Sequence, residues 1–266
     1  GININEQCGS THMQDLCAQV VSGGYDLGAA FDGDADRCLL VDEKGRVIDG
    51  DCVLALLADK MHREGTLKGG VSATVMSNLG LRSFCRERGI EVGCTKVGDR
   101  YVLEEMMQKG WNLGGEQSGH IILSDYATTG DGQLTAAHFM CMVSALGKKA
   151  SELRDMVPSF PQVTINVPAP NSVKKQVADL PAVREVATQI GEVFGADGRI
   201  LIRPSGTEAL VRVMVEGQDE EQVRAWAQKA ANVIQQAVAA KHSDKRRELP
   251  CVELLDIPGV SRRCPF

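Results

Sequence analysis

Residues 32 to 37 read Asp-Gly-Asp-Ala-Asp-Arg, which sets three carboxylates at alternate positions between the apolar runs LGAAF and CLLV. Three such charges in one turn repel one another unless a cation neutralises them. Oxygen-only ligands select a hard ion. A turn that supplies only Asp32, Asp34 and Asp36 leaves coordination positions for water or a phosphate oxygen, which suits Mg2+ in phosphoryl chemistry. A calcium EF-hand is excluded. Counted from Asp32, its sixth position requires glycine and is Arg37 here, and the flanks are strand-like where two helices are needed. The plain alternative is an acidic surface turn.

Two further constellations lie downstream. In Gly115-Glu116-Gln117-Ser118-Gly119-His120, the residues Glu116, Ser118 and His120 alternate, so an extended loop would project them from one side. They offer acceptors, a hydroxyl and an imidazole, a set suited to sugar hydroxyls, with His120 as the group able to trade a proton near neutral pH. A hairpin turn with a structural histidine is the alternative. In Arg203-Pro204-Ser205-Gly206-Thr207-Glu208, a guanidinium fork, two hydroxyls and backbone N–H groups around a glycine compose a phosphate cradle. A polar hairpin turn would look similar.

Weaker signals are the turn Thr95 to Tyr101, which has two cations and could hold a phosphate or the sugar, and Thr128 to Gly132, where Asp131 reads as a helix cap. Arg212 reads as one half of a surface or cross-strand ion pair. His12, His62 and His138 have no ligand partners at useful spacing and read as structural.

The elements that must position these loops alternate along the chain. Residues 13–23 read as helix, 26–31 as strand and 38–51 as a hairpin around Glu-Lys-Gly. Helix at 53–65, strand at 71–77, helix at 81–89, strand at 90–98 and helix at 100–110 follow. Residues 111–123 read as strand–loop–strand, and 132–149 as a long, largely buried helix. Alternation of this kind argues α/β with a mixed sheet. Pro158, Pro161, Pro168 and Pro170 mark a boundary. Beyond it, 162–170 reads as strand, 181–195 as helix and 198–217 as two strands around the phosphate-type turn. Residues 219–241 read as an amphipathic helix with Val223, Trp226, Ala227, Ala230 and Ile234 on one stripe. This second region is a small α+β domain. The segment 242–266 has charge and three prolines without a period, and reads as an irregular tail.

The 266 residues suffice for a real core, and the net charge of −6 has no basic block of the kind that binds nucleic acid. No stretch approaches the ~20 apolar residues of a membrane span. The nine cysteines show no metal spacing, and an odd count without a signal peptide points to a reducing cytoplasm. Cys38, Cys52 and Cys141, set in apolar runs, read as small buried hydrophobes. The start, Gly-Ile-Asn-Ile-Asn, reads as an entry into the middle of a domain.

In these three motifs the chain resembles the α-D-phosphohexomutase superfamily: DGDADR looks like its magnesium loop, GEQSGH its sugar loop and RPSGTE its phosphate loop, in family order. Gln117, the opening INxxCGSTH and the TKVGDRYV turn resemble the branch acting on amino sugars. The resemblance covers about residues 1–240. It implies a four-domain enzyme with a central cleft, in which a phosphoserine passes its phosphoryl group to glucosamine 6-phosphate. A bisphosphate intermediate then reorients to leave glucosamine 1-phosphate for cell-wall precursors.

Carried over by residue, Asp32, Asp34 and Asp36 hold Mg2+ and Arg37 lies beside the transferring group. Glu116 and Ser118 hold sugar hydroxyls, His120 is a candidate proton carrier, and Arg203, Ser205, Gly206 and Thr207 grip the other phosphate. The family's serine loop, T/S-A-S-H-N-P, does not occur in these 266 residues. The resemblance therefore implies a C-terminal piece that would not turn over alone. Residues 1–50 would be the rest of domain 2, 51–157 domain 3 and 158–241 domain 4. The implied partner is a phosphorylated amino sugar, with no nucleic acid and no membrane, and a homodimer is admitted but not required. Competing readings are a mutase of mannose or glucose phosphates and a non-catalytic phosphosugar-binding module.

Overall fold

A short apolar hairpin supports the acidic turn. In the computed structural model, which describes residues 2–247, β1 (Leu27–Phe31), β2 (Cys38–Asp42) and β3 (Val47–Ile48) form an antiparallel sheet in that order. Phe31 pairs with Cys38, so residues 32–37 are the connection between β1 and β2. Helix α1 (Gln14–Gly23) covers this sheet through Val20, which with Met13 just before the helix packs with Ala30 and Val41.

The β2–β3 turn is built on a buried charge. Asp42 is fully buried, accepts the Lys44 and Arg46 N–H groups at 3.0 and 2.9 Å, and pairs with Arg46 Nε at 2.8 Å. Arg46 then reaches Asp155 at 2.8 Å, while Ser151 on α6 (Ala150–Arg154) donates its N–H and its hydroxyl to Glu43. This polar clamp fastens the first sheet to the helical layer that follows it.

That layer is α2 (Gly50–Arg63), β4 (Val71–Ser72), α3 (Leu79–Glu87), α4 (Asp99–Lys109), β5 (Leu113–Gly115), β6 (Ile121–Leu123) and α5 (Gly132–Leu146). β4 runs parallel to β5, and β5 antiparallel to β6, which makes the sheet mixed. Side-chain caps set three helix starts: Asp49 Oδ1 accepts from Cys52 N, Asn78 Oδ1 from Gly80 N, and Asp131 Oδ1 from Leu134 N. Leu40 and Ile48 of the first sheet share one core with Leu54, Leu57, Phe84, Leu113, Ile121, Phe139 and Leu153. The first compact unit, residues 1–161, therefore contains both segments.

The fold departs from the sequence pattern at three places. Residues 90–98 form no continuous strand, although residues 91–95 run parallel to residues 71–75 through the bridges Val71–Val92 and Thr74–Thr95, with Gly93 N–H donating to Val71 O and Thr95 N–H to Ala73 O, each at 2.8 Å. Helix α5 is not largely buried: Phe139 and Met142 are, but Met140, Leu146 and Cys141 are exposed. Its outer face has the polar Gln133 and Ser144 with the apolar Met140 and Cys141 between them, so the pattern reads as more buried than it is. Cys38 and Cys52 are buried as expected, and Cys141 is not.

The second unit, residues 162–266, is described by β7 (Gln162–Pro168), α7 (Pro181–Phe194), β8 (Arg199–Pro204), β9 (Leu210–Glu216) and α8 (Glu220–Arg247). Its antiparallel sheet has the order β7-β9-β8, and Val211, Val213 and Val215 pack against Val183, Val186, Ile190, Val223, Ala227, Ala230 and Ile234. Trp226 is only partly buried on the same stripe. Helix α8 runs past residue 241, since residues 242–247 contain neither Gly nor Pro to stop it. The rest of the expected tail, 248–266, lies outside the described residues. Among the described residues no helix is long and apolar enough to cross a membrane.

Replacing Arg46 by Met strips the guanidinium partner from a fully buried carboxylate. Urea unfolding should show a loss of about 3 kcal/mol; a loss below about 1 kcal/mol would show that the clamp is not what holds the first sheet.

Candidate functional site

The acidic turn is tightly drawn. Asp32, Asp34 and Asp36 each offer a carboxylate oxygen within 4.8 Å of the other two. Ala35 between them has φ +59°, a left-handed conformation that costs a non-glycine residue about 1 kcal/mol. Two hydrogen bonds maintain it: Ala35 N–H donates to Asp32 O at 3.2 Å, and Ala35 O accepts from Gly132 N at 2.9 Å. Burial pushes the Asp36 carboxyl above the ordinary carboxylate range, and repulsion from Asp32 and Asp34 adds to this against the pull of His120. Asp36 Oδ1 is buried without a hydrogen-bond partner. An orphaned oxygen in a cluster of three carboxylates fits a hard divalent cation. Arg37, with its side chain 44% exposed, places Nε 3.7 Å from Asp32 and 3.8 Å from Asp36, so it partly offsets the cluster's charge.

The second loop departs from its expected shape. Residues 116–119 are a closed turn between β5 and β6, with Glu116 N–H donating to His120 O at 2.9 Å and Gly119 N–H to Glu116 O at 3.0 Å. Glu116, Ser118 and His120 therefore do not share one face: Ser118 is exposed, Glu116 is partly buried and His120 is 2% exposed. Gly119 has φ +92°, and a Cβ there would stand 2.3 Å from Cys38 O. Only glycine lets this hairpin lie against β2, where Cys38 N–H donates to Gly119 O at 3.1 Å and Arg37 bridges His120. The structure thus brings the first two sequence motifs together through their backbones.

His120 completes the junction. Its Nε2 accepts from Gly130 N–H at 3.1 Å, which leaves the proton on Nδ1, 3.0 Å from Asp36 Oδ2. Both ring nitrogens are engaged. The Nδ1 contact holds the imidazole and the Asp36 carboxylate against each other. A Cβ at Gly130 would lie 2.5 Å from the imidazole, so the TTGDG segment forms the wall behind the ring while Asp131 caps α5 as expected.

Gln117 turns away from this cluster, with Nε2 3.2 Å from Asp49 Oδ2, and its carbonyl accepts from Gly50 N–H at 3.0 Å. Glu116 Oε1 accepts from Gly98 N–H at 2.9 Å, which draws the turn of Lys96 to Arg100 to the same hairpin. Sequence reasoning underrated Gly98, Gly130 and Gly132. The available signal was a pair of glycines around a helix cap.

In the second unit, the turn between β8 and β9 has a closed interior and an open face. Ser205 is buried, donates its N–H to Leu210 O at 2.9 Å and accepts from Glu208 N–H at 3.2 Å with Oγ. Gly206 and Thr207 are exposed, and among the described residues their N–H groups have no partner. Arg203 stands directly across from Arg212 in the sheet register. Burial first, then the Arg212 charge, holds the Arg203 guanidinium below its usual value. Like charges directly opposite destabilise a sheet, so this pair fits an anion. Arg212 also pairs with Glu208 at 3.1 Å, in line with the expectation of a surface or cross-strand ion pair, and stands beside Arg203.

Residues 49–160 match the family pattern described as phosphoglucomutase/phosphomannomutase, alpha/beta/alpha domain III, and residues 165–233 match that of the C-terminal domain of the same family. The chain belongs to the phosphoglucomutase/phosphomannomutase family. Among its relatives, a protein named phosphoglucosamine mutase from Caldicellulosiruptor saccharolyticus is 48% identical over 236 residues, 88% of this chain and 53% of that protein. One of the same name from Mycolicibacterium vanbaalenii is 51% identical over 235 residues, 88% of this chain and 52% of that protein. The chain spans about half the length of the curated relatives it matches.

Two solved structures show the family fold. Aspergillus fumigatus N-acetylphosphoglucosamine mutase, crystallised with GlcNAc-6P and magnesium, superposes with TM-score 0.73 at 21% identity, covering 88% of this chain and 54% of that one. A phosphoglucomutase/phosphomannomutase family protein from Burkholderia thailandensis gives 0.71 at 23% identity, covering 86% and 50%.

Gly130→Ala should displace the His120 ring and with it Asp36. Calorimetric titration with MgCl2 should show affinity weakened about tenfold, as for other groups that orient a metal ligand; an unchanged constant would separate His120 from the acidic turn.

Proposed function

We propose that the protein carrying this chain is a phosphoglucosamine mutase, which interconverts glucosamine 6-phosphate and glucosamine 1-phosphate through a phosphoserine and a bisphosphate intermediate. The observation that carries the reading is the direct backbone and His120 junction between a three-carboxylate turn and the GEQSGH hairpin. The names of the relatives at 48 to 51% identity point the same way.

In this reading Asp32, Asp34 and Asp36 hold Mg2+, which when bound neutralises charge on the donor phosphoryl group. The remaining work falls to the chain's own groups. Arg37 stands beside the transferring phosphoryl group and offsets its charge. Glu116 and Ser118 take up ring hydroxyls, and the Glu116 carboxylate is fixed for this by Gly98 N–H. His120 orients Asp36. Arg203, Arg212, Thr207 and the Gly206 and Thr207 N–H groups grip the non-reacting phosphate, with Ser205 holding the turn in shape. Phosphoryl transfer depends on positioning and charge neutralisation, which is what these groups offer. The donor serine is assigned to the part of the protein outside residues 1–266.

The Gln117 side chain is engaged by Asp49, so selectivity for an amino sugar does not rest on its direct contact with the sugar. A mutase of mannose or glucose phosphates is thus the reading to exclude by assay. Rates of the whole protein on glucosamine 6-phosphate, mannose 6-phosphate and glucose 6-phosphate decide the matter. A preference for glucosamine 6-phosphate is expected, and equal or higher rates on a hydroxy sugar would overturn the assignment.

Arg203→Ala removes a charge-assisted fork and should weaken binding of glucosamine 6-phosphate by more than about tenfold in calorimetry. Wild-type affinity in that variant would remove RPSGTE from the site. Asp34→Asn, on an exposed side chain, should keep the unfolding midpoint while Mg2+ binding falls by at least about tenfold. Unaltered metal binding would show that the triad is only an acidic turn.

A further inference from the structure

A buried lysine lies behind the phosphate-type turn. Lys174 is 8% exposed, whereas its neighbour Lys175 is exposed, and the flanking Val173 and Val177 are fully buried in the second core. Its Nζ donates to Ser205 O at 2.7 Å and to Glu208 O at 2.8 Å, the carbonyls at the two ends of the turn. Among the described residues it has no carboxylate partner. A buried ammonium satisfied only by two neutral carbonyls is an uncompensated charge, and such a charge is costly to keep.

Its surroundings increase that cost. Arg203 and Arg212 face each other across β8 and β9 a few residues away, and the single carboxylate of Glu208 already pairs with Arg212. The cluster is therefore net positive around one short turn. The sequence runs Lys174-Lys175 and gives no sign which of the two is buried.

We infer that Lys174 is a positioning residue for the phosphate of the substrate. Its ammonium draws the Ser205 and Glu208 carbonyls to the inner side of the turn, which leaves the Gly206 and Thr207 N–H groups on the open side, and it adds a positive charge beneath them. The bound phosphate dianion is the counter-charge that the isolated cluster lacks. This inference rests on the reading of RPSGTE as a phosphate cradle.

The test is calorimetric titration of glucosamine 6-phosphate, and separately of inorganic phosphate, into the 266-residue chain and its Lys174→Met and Arg203→Ala variants. Lys174→Met should bind both at least about tenfold more weakly while its ligand-free unfolding stays cooperative. Binding within a factor of about two of wild type would overturn the inference. If Arg203→Ala also binds as wild type does, the cradle reading falls together with it. If Arg203→Ala alone loses binding, only the role of Lys174 falls. Should Lys174→Met fail to fold, the Nζ 15N resonance of Lys174 in the wild-type chain decides. A shift that follows phosphate occupancy supports the inference, and a resonance unmoved at saturation overturns it.

Discussion

Mutual repulsion among three carboxylates confined to one six-residue turn is the constraint from which much of the first unit follows. Left to itself, such a turn would open. Ala35 is held left-handed, its carbonyl is taken by the first amide of α5, and the Asp36 carboxylate is steered by an imidazole that is itself held by Gly130. Each of these supports comes from a different stretch of the chain. The hairpin, the TTGDG segment and the β5–β6 turn must therefore all be in place before the acidic cluster has its shape. The shared core of Leu40, Ile48, Leu113 and Ile121 supplies the apolar burial that makes this assembly one body.

The second unit answers the opposite problem with the same kind of material. There the excess is positive, two arginines facing across a sheet and a lysine behind them, and the turn exposes amides to the face where an anion would lie. The two units thus carry complementary charge preferences on structurally similar devices, each a short connection between two antiparallel strands.

Much of this was legible in the sequence, and the limits have physical causes. The strands that flank the three six-residue motifs and the Asp131 cap could be read because local chemistry determines them: turn residues, alternation and capping act within a few positions. The shape of residues 116–119 was misjudged because alternation of polar side chains indicates one face only if the backbone is extended, and Gly119 closes it into a turn instead. His120 could not be placed, since what it touches lies 84 and 10 positions away. Gln117 was visible as a mark of kinship, yet its contact with Asp49 spans 68 positions. The exposed side of α5 was missed because Met140, Cys141 and Leu146 are apolar residues facing outward, which no hydrophobicity pattern distinguishes from core.

The pairing of Cys38 with Gly119, and of Arg37 with His120, has a consequence for how such a chain can vary. These contacts fix a strand register between two segments about eighty residues apart. An inserted or deleted residue on either side would turn the next side chain to the opposite face. Asp36 and His120 would then no longer meet. Both loops are therefore frozen in length, and any divergence within them must proceed by exchange of side chains at constant spacing.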